Sequence, residues 1–156
     1  MGKYIAVLSV GLLAGILITF LAIFIVLPRQ MFVVKESKFN FEDTITALAK
    51  SAEASDWAIP QQYNLQATLK KKGFETEPVV VISMCNPVLA EKILNSDRSR
   101  FVSAIMPCRL AVYESDGKTY TSMLNAKLFY PFMKKEAKET LKAANSESIQ
   151  ILKTIN

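Results

Sequence analysis

Four sulfur-bearing side chains stand in two short clusters, Ser83-Met84-Cys85-Asn86-Pro87 and Ile105-Met106-Pro107-Cys108-Arg109. Each cluster joins a thioether to a thiol beside a proline, and thioether and thiolate sulfur are soft donors suited to copper(I) or to haem iron. Met84, Cys85, Met106 and Cys108 are therefore the candidate cofactor-binding residues. Packing is the competing explanation, because cysteine and methionine both fill buried gaps. The prolines do not decide between the two, since proline also marks helix starts and edge strands.

The remaining residues narrow the chemistry. Histidine is absent, which excludes Ser-His-Asp and Cys-His catalysis, His-ligated zinc and His-ligated haem. An axial haem ligand would have to be Met, Cys or Tyr, or be shared across a homo-oligomer. Two cysteines cannot form a four-thiolate site in one chain, and without a C-x-x-C spacing a thiol redox role has little support. A Cys85–Cys108 disulfide would require Cα atoms about 4.4 to 6.8 Å apart. The carboxylates Glu36, Glu42, Asp97 and Glu114 are dispersed and show no pairing for acid–base work, so a non-catalytic protein is expected. The net charge of +5, from 19 basic and 14 acidic residues, is too mild for a nucleic-acid partner, which demands a strongly basic face.

The elements that would position these sulfurs begin after an apolar run. Between Lys3 and Arg29 lie 25 uncharged residues, Tyr4 to Pro28. At about 1.5 Å per residue such a helix crosses a hydrocarbon core of about 30 Å. A secretory signal has an apolar region of only about 7 to 15 residues followed by a small-residue cleavage site. This run is longer and ends Ile25-Val26-Leu27-Pro28-Arg29. The expectation is an uncleaved single-pass transmembrane helix over Tyr4 to Leu27, giving an anchor at residues 1–29 and one small domain at residues 30–156.

By charge the orientation is nearly balanced and leans slightly against an exported domain, with Lys3 and the amino terminus on one side and Arg29, Lys35 and Lys38 on the other. The minimal N-terminal tail resembles a signal-anchor and favours an extracytoplasmic, periplasmic domain. Gly11 and Gly15 form a G-x-x-x-G that would let a second helix approach closely. Glycine is also simply frequent in membrane helices.

In the domain, Met31 to Ser37 reads as a strand. Asn40 precedes an amphipathic helix through Phe41, Ile45, Leu48, Ala49 and Ala52, with Asp43 closing a capping-box-like start. That helix should end near Ser55-Asp56, before Trp57-Ala58-Ile59-Pro60, since the residue before proline avoids the helical region. Leu65 to Lys72 reads as a short helix with Gly73 beyond it. Lys70, Lys71 and Lys72 there suit the helix C-terminus, and attraction to anionic lipid headgroups is the alternative. Pro78 to Met84 reads as a strand covered on both faces, followed by a helix that starts at Pro87. Ala104 to Tyr113 and Lys118 to Leu124 read as a hairpin through Asp116-Gly117. A helical pattern then runs to Ile155 with a break near Asn145-Ser146.

Cys85-Asn86-Pro87, the helix with Leu94 and Asp97, Met106-Pro107-Cys108-Arg109, Val112-Tyr113-Glu114 and Asp116-Gly117-Lys118 together resemble the domain-of-unknown-function-302 family, over about Met31 to Ile155. The resemblance implies an α+β fold similar to one half of the TATA-box-binding protein. The order would be β-α-β-β-β-β-α, with an antiparallel sheet and helices on one face. It supplies no reaction, and fold similarity does not carry DNA binding with it. The functional expectation is a membrane-anchored, non-catalytic binding or electron-transfer accessory domain holding a soft cofactor, haem or copper, through Met and Cys. Its partners would be the membrane and a homo-oligomer or another membrane protein. The alternative is a structural or protein-interaction module with inert buried cysteines.

Overall fold

The computed structural model describes residues 2–155, and the chain divides into two compact units, the first ending at Phe32 and the second beginning at Val33. The first is a single helical run, Gly2–Gln30, long and apolar enough to cross a membrane. It winds as α1 (Gly2–Leu21), a π-helical turn (Ala22–Val26) and α2 (Leu27–Gln30). The expected span is thus helical throughout, but not of one winding. Its serine and threonine hydroxyls are satisfied within the helix: Ser9 Oγ donates to the Ile5 carbonyl at 2.7 Å and Thr19 Oγ1 to the Gly15 carbonyl at 2.8 Å. Back-bonding of this kind lets an apolar helix carry Ser and Thr.

The second unit is α+β. The strands, the first of which begins one residue before this unit, are β1 (Phe32–Glu36), β2 (Ala58–Asn64), β3 (Val79–Cys85), β4 (Cys108–Ser115) and β5 (Lys118–Leu124), in the order β1-β5-β4-β3-β2 within one antiparallel sheet. Helices α3 (Phe41–Glu53), α4 (Leu65–Lys70), α5 (Pro87–Leu94) and α6 (Lys135–Lys153) fill the connections and the end of the chain.

Alternation along the strands divides the residues by face. Val80, Ile82 and Met84 of β3, Leu110 and Val112 of β4 and Met123 of β5 join Leu48 and Ala52 of α3 and Ile151 and Leu152 of α6 in one core. Helices α3 and α6 therefore cover this face. On the other face Tyr113 and Tyr120, partners in the β4–β5 register, stack at 5.6 Å.

Local sequence explains most boundaries. Asn40 Oδ1 accepts from the Asp43 N–H at 2.9 Å, and the Asn40 amide donates to Asp43 Oδ2 at 2.7 Å. The capping partner thus reaches the cap's side chain, where a capping box would use its backbone. Helix α3 ends with Asp56 N–H on the Glu53 carbonyl and Trp57 N–H on the Ala52 carbonyl, Asp56 having φ 59°. This is a Schellman closure that puts Trp57 into the core. The same closure ends α4: Gly73 (φ 85°) bonds to Lys70 and Phe74 to Leu69, so the lysine run occupies the turn its sequence predicts. Asp116 (φ 51°) and Gly117 (φ 72°) make the β4–β5 turn, two positive φ values being what a type I′ hairpin requires.

Two expectations fail. Ala104 to Pro107 is not strand: Arg100–Ile105 is a 3-10 turn and β4 begins at Cys108. The late helix is unbroken at Asn145-Ser146. Asn145 and Ser148 are buried there, and Ser148 Oγ donates to the Asn145 carbonyl at 3.1 Å. The interruption falls earlier, where the 3-10 segment Ala126–Phe132, containing Pro131, gives way to α6.

Candidate functional site

The two sulfur clusters meet where β3 ends and β4 begins. In the ladder Ser83 opposes Arg109 and Met84 opposes Cys108. Opposed residues of an antiparallel pair share a face, so Met84 and Cys108 both lie on the helix-covered side. Met84 is 1% exposed, and Cys108 packs against the same core. Cys85 follows Met84 as the last residue of β3, and strand spacing and rise put its Cα roughly 6 Å from that of Cys108. Both thiols are free and half-buried.

The connection from β3 to β4 folds back over this strand end. Asn86 caps α5 by accepting from the N–H groups of Val88 and Leu89, with Pro87 in the first turn. Ser99 Oγ donates to the Ile93 carbonyl at 3.2 Å and Arg100 Nε to the Leu94 carbonyl at 2.9 Å, which closes the far side of the turn. The Met106-Pro107 peptide is cis. Met106 packs with Met133 against a second small cluster of Ile93, Val102 and Ala137.

Met84, Cys85, Met106 and Cys108 all line one cavity of about 60 Å³, walled by Leu89 and Ile93 of α5 and by Thr140, Leu141 and Ala144 of α6. A buried water needs roughly 10 to 15 Å³ on this measure, so the space suits an ion or a few waters. Burial pushes both thiols above the ordinary cysteine range, and the proximity of Cys85 raises Cys108 further, outweighing a backbone hydrogen bond that acts the other way. Both are therefore neutral thiols at pH 7. Cys85 immediately precedes the α5 cap, yet desolvation decides its shift.

Sequence reasoning did not find Glu147. Its Oε2 accepts from Trp57 Nε1 at 2.8 Å and from Asn86 Nδ2 at 3.0 Å, tying the residue before β2 and the α5 cap to α6 beside the cavity. Separations of 90 and 61 residues leave no local signal for such a contact. The acidic residues that did attract notice lie elsewhere: Glu36 pairs with Lys118 and Asp97 with Arg100, both on the surface. Among the described residues no three His, Cys, Asp or Glu side chains gather as a metal site. Every buried side-chain nitrogen and oxygen among them has a hydrogen-bond partner. The cavity's spare donors are thus its two thiols and two thioethers.

The profile of one protein family, described as "Domain of unknown function DUF302", matches residues 33–155. The crystal structure of an uncharacterized conserved protein DUF302 from Bacillus stearothermophilus shares the fold with a TM-score of 0.73 at 23% identity, over 81% of this chain and 98% of that one. No curated protein matches the chain.

Proposed function

We propose that this chain, which belongs to the DUF302 family, is a membrane-anchored, non-catalytic binding or electron-transfer accessory domain that takes copper(I) on sulfur. The observation that supports this reading is that four sulfur residues from two separate sequence clusters line one cavity. Copper(I) prefers thiolate and thioether donors over oxygen. The donor set favours copper(I) over haem in this reading, since the cavity offers two thiols and two thioethers and the chain has no histidine. Each thiol that ligates releases its proton, which offsets part of the binding energy because burial favours the neutral thiol.

The helix Gly2–Gln30 serves as the anchor in this reading. In this reading the domain lies on the extracytoplasmic side. Gly11 and Gly15 offer their helix face to a second copy or to another membrane helix. Nucleic acid is not among the partners.

The structural module with inert cysteines keeps one observation in its favour, the near-complete burial of Met84 among core residues. Metal analysis and an absorption spectrum on protein extracted in mild detergent from its native membrane separate the two. Copper without a porphyrin band supports the binding domain. Colourless, metal-free protein supports the module.

A further inference from the structure

The domain has two ends, and the chain enters at one of them. Antiparallel pairing places the start of β1 and the end of β5 together, the Ser37 N–H bonding to the Thr119 carbonyl at the other end of that pair. The β3–β4 and β4–β5 registers then put Cys85, Cys108 and Leu124 at the entry end. The connections 86–107 and 125–134 leave the sheet there, and the 65–78 connection leaves it at the opposite end.

The two connections that leave the entry end expose large apolar side chains: Phe132 is 82% exposed, Phe101 65% and Val88 62%. These connections carry five basic and two acidic residues. Arg100 pairs with Asp97 at 3.0 Å, leaving the exposed Lys92, Arg98, Lys127 and Lys134 against Glu91. Apolar side chains among excess cations match the chemistry of an anionic bilayer surface.

Connectivity selects the same end. From Arg29 to Phe32 is three residues, a reach of about 10 Å at most, and only Met31 separates α2 from β1. Leu65, Leu69 and Phe74 beside Lys70 to Lys72 form a comparable exposed set. They lie beyond the far end of β3, roughly 20 Å away along a seven-residue strand.

We infer that the entry end of the domain rests on the membrane surface, with Val88, Phe101 and Phe132 entering the headgroup region of an anionic bilayer. The inference depends on the reading of Gly2–Gln30 as a membrane span. It also places the strand ends that bear the sulfur residues at the lipid surface, where a membrane-bound partner would deliver or collect the ligand.

The test uses the full chain in vesicles of phosphatidylcholine and phosphatidylglycerol, with lipid brominated near the carbonyl end of the acyl chain. The native Trp57, 3% exposed, sets the baseline, and Phe132→Trp, Phe101→Trp and Phe74→Trp each add one reporter. Bromolipid should quench the added fluorescence of Phe132→Trp and Phe101→Trp at least twofold and leave that of Phe74→Trp unchanged. Replacing Lys127 and Lys134 by Gln should weaken the quenching in phosphatidylglycerol. A chain that alkaline carbonate strips from the vesicles refutes the span, and the inference with it. A chain that stays inserted with Phe132→Trp and Phe101→Trp unquenched, or with Phe74→Trp quenched instead, overturns the inference and leaves the span standing. If the two reporters are unquenched but change emission on dilution, a second copy covers this end, which equally overturns it.

Discussion

Met84 faces Cys108 directly across the β3–β4 ladder, so a thioether and a thiol from distant parts of the sequence share the helix-covered side of the sheet at one strand end. If Met84 contributes only packing, Met84→Leu conserves volume and should cost under about 1.5 kcal/mol. Met84→Ala should cost about 2 to 5 kcal/mol, because the site is closed and a cavity remains. Urea unfolding of both variants checks the pair of values. A small cost in Met84→Leu together with lost metal binding would assign the sulfur to the ligand.

Glu147 holds two donors with one oxygen. Glu147→Ala leaves the indole N–H of the buried Trp57 without its acceptor, a loss of about 1 to 3 kcal/mol. Glu147→Gln retains an amide oxygen and should lose less than half of that. Denaturation midpoints at constant slope give the comparison.

Asp56 holds a left-handed conformation, φ 59°, that costs an L-residue roughly 1 to 2 kcal/mol. Asp56→Gly relieves the strain while giving back some backbone entropy, and should stabilise the domain by up to about 1 kcal/mol. Asp56→Val, with a β-branched side chain at the same φ, should destabilise it. Thermal unfolding of the three proteins orders them.

The thiols make stability depend on alkaline pH. Below the ordinary thiol pKa of about 8.5 neither the folded nor the unfolded chain ionises them. Above it the unfolded thiols lose their protons while burial keeps Cys85 and Cys108 protonated. The unfolded state then binds fewer protons, so stability falls as pH rises. A Cys85→Ala, Cys108→Ala double variant should show a shallower decline between pH 8 and pH 10, measured by urea unfolding across that range.

The Asp116-Gly117 hairpin, the Asn40 cap, the helix start at Pro87 and the glycine closure at Gly73 were legible because each depends on a few adjacent residues. The 3-10 turn over Arg100–Ile105 was not, since its closure comes from Ser99 and Arg100 reaching back to the Ile93 and Leu94 carbonyls. Asn145 was misread as a helix break because its propensity is local while its burial is tertiary. The four sulfur residues were legible as two clusters by type. Their union in one cavity depends on strand register, and Glu147 on contacts with residues 90 and 61 positions away.

Copper(I) titration of the detergent-solubilised chain, under reducing anaerobic conditions and against a chromogenic copper(I) chelator, tests the central claim most directly when followed by X-ray absorption at the copper edge. The account predicts a single copper ion per chain with sulfur as its only near neighbours. Affinity should rise about tenfold per pH unit for each thiol proton displaced, and a Met84→Leu, Met106→Leu double variant should retain its fold and lose that affinity. A chain that leaves all of the copper with the chelator, or binds it through oxygen or nitrogen, contradicts the account.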